Sequence, residues 1–164
     1  MTLAMTDHAP PLSDPSARRD WLSLLAQAPR AALAAHAAPV LADHRFAWLR
    51  RPETGLAMVR ARVANGGDRF NVGEATVTRC VVTHQPPTGP ATAGVGWVLG
   101  RDEERAGWVA SFDALLQVPA LHDAIARGVL APLRAALDDE RRAEAARNAA
   151  SRVRFFTLQP EAAR

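Results

Sequence analysis

Few side chains in this sequence are both chemically capable and close enough along the chain to act together. Glu74 and Arg79 are one such pair, set in Arg69-Phe-Asn-Val-Gly-Glu-Ala-Thr-Val-Thr-Arg79 with Gly73 and Thr76 beside them. A second set is Gly100-Arg101-Asp102, where a glycine precedes a helix start. Backbone N–H groups of a free helix N-terminus, with Arg101 alongside, would hold a phosphate. Together the two sets would place opposite charges at adjacent sheet ends. The competing reading is that these charges cap the helix and pair with one another. A third set is Ser151-Arg152 ahead of Phe155-Phe156. It would take an anion or a partner's carboxylate, and a contact between proteins suits it better than chemistry.

Other chemistries find little support. His8, His36, His44, His84 and His122 show no metal-ligand spacing, and a single cysteine builds no zinc site, so no metal is expected. There is no P-loop, no Gly-x-Gly-x-x-Gly after a strand and no Gly-x-Ser-x-Gly. His122-Asp123 reads as a helix-surface pair. Cys80 and His84 share a face only if their strand is regular, and Cys80 fits better as a small buried hydrophobe than as a nucleophile.

The elements that must position these residues follow from periodicity. Residues 1–14 carry two prolines, Pro10 and Pro11, and read as a mobile tail. A helix begins near Asp14-Pro15-Ser16, carries Trp21, Leu22, Leu24 and Leu25 on one stripe, and stops at Pro29. A second runs from about Arg30 to Ala42, with Pro39 shortening or bending it. Phe46 and Trp48 alternate as in a strand, Pro52-Glu-Thr-Gly55 is turn chemistry, and Leu56 to Ala64 forms the next strand. Asn65-Gly66-Gly67-Asp68 is a hairpin signal leading into the long strand Arg69–Val82. Its alternation slips phase across Gly73-Glu74, which predicts a β-bulge there.

Gln85 to Gly94 reads as a loop, and Val95, Trp97 and Leu99 as the last strand. Asp102 is placed to cap a helix that Pro119 ends, with Glu103 and Glu104 near its positive end. A short helix, Ala120 to Arg127, and a long one from Pro132 to about Ser151 follow. The second half of the long helix has few large apolar residues, so it would rest on a partner. Val153 to Leu158 is apolar and extended in pattern, and residues 159–164 read as a flexible end. The expected fold is α+β: two N-terminal helices, about four mainly antiparallel strands, then helices and an extended tail, one domain over 15–158.

Composition narrows the function classes. All 20 basic residues are arginine, yet the net charge is only +3. The arginines are scattered, which weakens a nucleic-acid reading. No apolar run reaches membrane-spanning length, and no secretory leader is visible, so a cytoplasmic protein away from membranes is expected. The lone cysteine fits a reducing compartment.

Several segments, taken in order, carry a family likeness. Arg69-Phe-x-x-Gly-Glu-Ala-Thr-x-Thr-Arg79, Gly96-Trp-Val-x-Gly-Arg-Asp102 and Ala150-Ser-Arg-Val-x-Phe-Phe-Thr157 resemble the PhnG family, and Trp21 and Glu53-Thr-Gly-Leu56 fit the same pattern. The likeness extends from about residue 18 to 158. It implies a subunit of the bacterial carbon–phosphorus lyase system. Such a subunit acts with PhnI-, PhnH- and PhnL-type sisters in displacing adenine from MgATP by an alkylphosphonate, giving ribose 1-alkylphosphonate 5-triphosphate. It also implies direct contact with the nucleosidase-like PhnI-type subunit. The iron–sulfur cluster and S-adenosylmethionine belong to a separate PhnJ-type lyase subunit, so no cofactor is expected on this chain. No catalytic residue is carried over by the likeness. The alternatives from the residues alone are a self-sufficient small hydrolase or transferase using Glu74 and Arg79, and an arginine-rich nucleic-acid binder.

Overall fold

Phe46 to Arg62 form one strand, β1, where the sequence predicts two strands and a turn. The computed structural model describes residues 15–63 and 66–151. The expectations for residues 1–14, for Arg152, Phe155 and Phe156, and for the rest of 152–164 lie outside the described residues. Ser151 is described, as the exposed C-cap of the last helix.

The turn at Pro52-Glu-Thr-Gly55 is absorbed into β1, because Glu53, Thr54 and Gly55 pair with Arg79, Thr78 and Val77 of β2 (Arg69–His84). Register slips between Trp48 and Arg50 and again between Arg50 and Glu53, so β1 carries the extra residues there. Proline lacks an N–H for the ladder, and a bulge on an edge strand is where that lack is tolerated. The sheet therefore has three strands in the order β1-β2-β3, all antiparallel, with β3 spanning Thr92–Leu99. The predicted loop is correspondingly shorter.

The predicted bulge in β2 lies one step earlier than expected. Val59 pairs with Gly73 and Arg60 with Asn71, which leaves Val72 as the extra residue. Gly73 itself is not strained: the described glycines with positive φ are Gly89 and Gly100, and a Cβ at Gly73 would meet nothing within 4 Å.

Helices α1 (Pro15–Gln27) and α2 (Arg30–Leu41) precede the sheet, and α3 (Glu103–Leu116) packs across β2 and β3. Phe112, Leu115 and Leu116 of α3 meet Leu25, Leu33, Cys80, Val82 and Val98 in one core. α3 can lie so low on the sheet because β3 is glycine where they touch. A Cβ on Gly94 would fall 1.9 Å from the Ala110 carbonyl oxygen, and one on Gly96 2.0 Å from that of Ala106. Ala106, Ala110 and Ala114, spaced four apart, form the facing strip.

After α4 (Pro119–Ile125), a π-helical segment Ala126–Leu130 leads without interruption into α5 (Ala131–Ala150). Neither Gly128 nor Pro132 breaks the chain's helical course. The π-turn skips a ladder bond just ahead of Pro132, which has no N–H to give. From residue 138 onward every described residue of α5 is exposed.

His84 closes β2 almost fully buried, ringed by His44 at 5.2 Å and Phe46 at 5.4 Å, and its Nδ1 has no hydrogen-bond partner. Burial, then the charge of His44, holds its pKa below the ordinary imidazole value. The unfolded chain therefore takes up a proton near pH ~6.5 that the folded chain resists. Stability should be full above that pH and decline as pH falls through it. Urea midpoints at pH 7.5 and 5.5 check this, and His84→Leu should flatten the difference. An unchanged pH slope in that variant would assign the effect to another group.

Candidate functional site

Thr78 is the hub of the strand-to-helix junction. Its buried hydroxyl donates to the Gly100 carbonyl at 2.7 Å and accepts from the Asp102 N–H at 3.2 Å, with the Thr54 hydroxyl 3.2 Å away. Gly100, at φ +88°, makes the sharp exit from β3 that a side-chain-bearing residue resists. Its N–H donates to the Thr76 carbonyl at 2.8 Å. Thr76, Gly100 and Asp102, three of the candidates named from the sequence, thus meet at this junction.

The helix N-terminus is not free for an anion. Asp102 caps α3 by accepting from the Arg105 N–H at 3.0 Å, and its other oxygen accepts from Arg30 Nε at 2.8 Å. Burial alone would raise the Asp102 carboxyl. The Arg105 N–H and the Arg30 guanidinium outweigh it and hold the group below its ordinary range. Arg30 also reaches Glu104 at 2.7 Å and lies over the Trp108 ring at 5.2 Å. The expected partner for these acids, Arg101, is exposed and takes no part. Asp102 therefore serves as the helix cap, and Glu103 and Glu104 follow it in the first turn, in line with the capping reading.

Glu74 and Arg79 are not brought together either. Five residues of regular β2 separate them, which puts them on opposite faces and about 17 Å apart along the strand. Arg79 instead donates to Glu53 at 2.6 Å and stacks on Trp97 at 5.6 Å, while Arg50 shares the same carboxylate at 2.9 Å. The Arg79 hydrogen bond, followed by the charge of Arg50, holds Glu53 low against the opposing pull of desolvation. Glu74 is exposed and lies opposite Met58.

Two arrangements escaped the sequence. Asp113, fully buried on α3, accepts from Arg18 Nη2 (2.7 Å), Trp21 Nε1 (2.9 Å) and the Val95 N–H (2.9 Å). It ties α1, α3 and β3 together, and its oxygens are fully employed. Arg105 sends Nη2 to the Ala26 and Ala28 carbonyls at 2.8 and 2.7 Å, capping the end of α1. Both pairings span large separations in sequence, which no local pattern encodes.

Cys80 is buried, and desolvation pushes its thiol up to about 11, which leaves it an inert core group. No three His, Cys, Asp or Glu side chains converge among the described residues. A groove of about 660 Å³, lined by Phe46, Trp48, Pro52 and Trp108, also carries Glu103 and Glu104, a poor lining for a triphosphate. No described helix is long and apolar enough to cross a membrane. Among its exposed residues are large apolar side chains: Trp97 and Leu99 on the outer sheet face, and several on the β1–β2 ribbon.

Residues 16–159 match the sequence model of PhnG, described as phosphonate metabolism protein PhnG. The chain belongs to the PhnG family. Among its relatives is alpha-D-ribose 1-methylphosphonate 5-triphosphate synthase subunit PhnG of Rhizobium meliloti (strain 1021). That protein is 43% identical over 141 residues, covering 86% of this chain and 87% of the relative. The PhnG match takes in Glu74, Arg79, the Gly100–Asp102 junction and Asp113 alike.

Proposed function

We propose that this chain is the PhnG-type subunit of an α-D-ribose 1-methylphosphonate 5-triphosphate synthase, working in phosphonate catabolism. In this reading it acts with PhnI-, PhnH- and PhnL-type sister subunits to convert MgATP and an alkylphosphonate to adenine and ribose 1-alkylphosphonate 5-triphosphate. The PhnI-type subunit is its direct neighbour and carries the nucleosidase-like chemistry. MgATP is a substrate of the assembly, and the iron–sulfur cluster and S-adenosylmethionine belong to the PhnJ-type subunit that acts later.

The observation that carries the reading is the 43% identity along most of both chains with a relative bearing the synthase-subunit name. The distribution of polar groups supports it. Asp102 and Asp113 are engaged in folding the chain, Cys80 is inert, and Glu74 stands apart from Arg79. A self-sufficient hydrolase built on Glu74 and Arg79 would need them on one face.

The test is adenine release from MgATP plus methylphosphonate by the sister subunits, with and without this chain. Release that requires the chain, with no turnover by the chain alone, is the expected result. Full activity without it, or turnover by the purified chain alone, would overturn the subunit role.

A further inference from the structure

Beyond the last β3 partner, where Val77 meets Leu99, β1 and β2 continue alone as a two-stranded arm, residues 55–62 against 69–76. At ~3.4 Å per residue it projects about 24 Å. No residue of 54–62 or 69–76 is buried, whereas alternate residues of β2 from Thr78 to His84 are. An isolated two-stranded ribbon is marginally stable in water. This one also wears its apolar side chains outside: Leu56 is 65% exposed, Met58 54%, Phe70 46% and the bulged Val72 59%.

Charge on the arm is one-sided. Leu56, Met58, Arg60 and Arg62 share one face by strand alternation, and Arg69 lies directly opposite Arg62. A like-charged pair facing across two strands is unfavourable. None of Arg60, Arg62 and Arg69 has a carboxylate in salt-bridge range among the described residues, whereas Arg50 and Arg79 nearer the sheet both hold Glu53. The arm therefore offers apolar side chains near its root and an unmatched arginine group near its tip.

We propose that this arm is the chain's docking element for a sister subunit of the synthase, which presents an apolar trough whose far end carries carboxylates. The proposal rests on the subunit reading and goes beyond it by naming the surface and the chemistry of its counterpart. A second copy of this chain fits less well, since two arms laid together would set six guanidinium groups against only the two Glu74 carboxylates of those strands. The segment 152–158 does not fit either, because its charged residues are Arg152 and Arg154. A carboxylate-bearing trough relieves the Arg62–Arg69 opposition and covers Leu56 and Met58 on the same face, while its other wall meets Phe70 on the reverse face.

The experiment uses the full chain co-purified with its sister subunits. Two variants are compared with the unaltered protein: Arg60→Glu/Arg62→Glu, and Leu56→Ser/Met58→Ser/Phe70→Ser. These side chains touch no core residue, so the isolated variants should melt within a degree or two of the parent. Each should bind the sister subunits at least about tenfold more weakly, as expected of central interface groups. Amide exchange in 69–76 should be fast in the isolated chain and slow in the complex. If both variants bind as the parent does, or if those amides stay unprotected in the complex, the arm is not the docking element. If the isolated parent instead self-associates and the serine variant does not, a second copy is the occupant and the proposal is overturned. Failure of the parent itself to bind the sister subunits sinks the subunit reading, and this inference with it.

Discussion

Replacing Asp113 with alanine should destabilise the chain by about 3–5 kcal/mol, the usual effect of removing one partner from a buried ion pair. Asp113 has no exposed surface, and three residues from two elements converge on its two oxygens: Arg18 and Trp21 from α1 and the Val95 N–H from β3. Alanine would strand the Trp21 N–H and the Val95 N–H without partners, each at a cost of about 1–3 kcal/mol if no water reaches it. The Arg18 head is part exposed and regains water, so its share is smaller. Asp113→Asn is the informative companion. It keeps an acceptor for Trp21 but loses the charge that Arg18 reads, and should fall between parent and alanine. Urea midpoints and the near-ultraviolet signal of Trp21 measure both variants. A loss under about 1 kcal/mol for alanine would mean that water replaces the carboxylate, against the buried geometry.

Asp113 also shows where the sequence stops being legible. The α+β class, the two opening helices, the Asp102 cap and the helix over α3 are written in local periodicity and capping chemistry, and all are present in the structure. The error at Pro52-Glu-Thr-Gly55 has a physical source. Turn chemistry and a proline-bearing bulge on an edge strand use the same residues, and only the pairing partners on β2 distinguish them. Gly73 misled for the related reason that a glycine beside a phase slip need not be the residue that slips. The charged clusters were seen as groups but matched to the wrong partners. Asp102 pairs with Arg30 across 72 positions and Arg79 with Glu53 across 26. Tertiary folding decides such matches, and nothing local encodes them.

The same contrast bears on function. Motifs that carry the family likeness, Gly96-Trp-Val-x-Gly-Arg-Asp102 among them, hold structural roles: Gly96 admits α3, Gly100 turns the chain and Asp102 caps the helix. Conspicuous polar residues in a short motif thus build the scaffold here. Large exposed apolar side chains remain on the outer sheet face and on the ribbon beyond it, the latter beside Arg60, Arg62 and Arg69.

Gly96→Val should be more damaging than any surface change, because it tests one of the two close approaches of α3 to β3. A Cβ at this position would lie 2.0 Å from the Ala106 carbonyl oxygen and 2.9 Å from its carbon. Both atoms are backbone, so no rotamer change relieves the overlap. To admit even alanine, α3 must lift by more than an ångström along the strip Ala106, Ala110 and Ala114. That movement drags Phe112, Leu115 and Leu116 away from Val82 and Val98, opening the core it was meant to close. Overpacked cores lose about 1–3 kcal/mol when side chains can adjust, and a backbone clash lies at or above the top of that range. Valine adds two more atoms in the same place and should leave little folded protein at 37 °C. Gly73→Val is the control: it adds the same side chain to a strand glycine with open space around it and should cost little. Comparing the two by urea unfolding isolates helix-to-sheet distance as the variable. If Gly96→Val and Gly73→Val unfold at the same midpoint, α3 does not lie where its alanine strip places it, and the close seating of α3 on β3 is wrong.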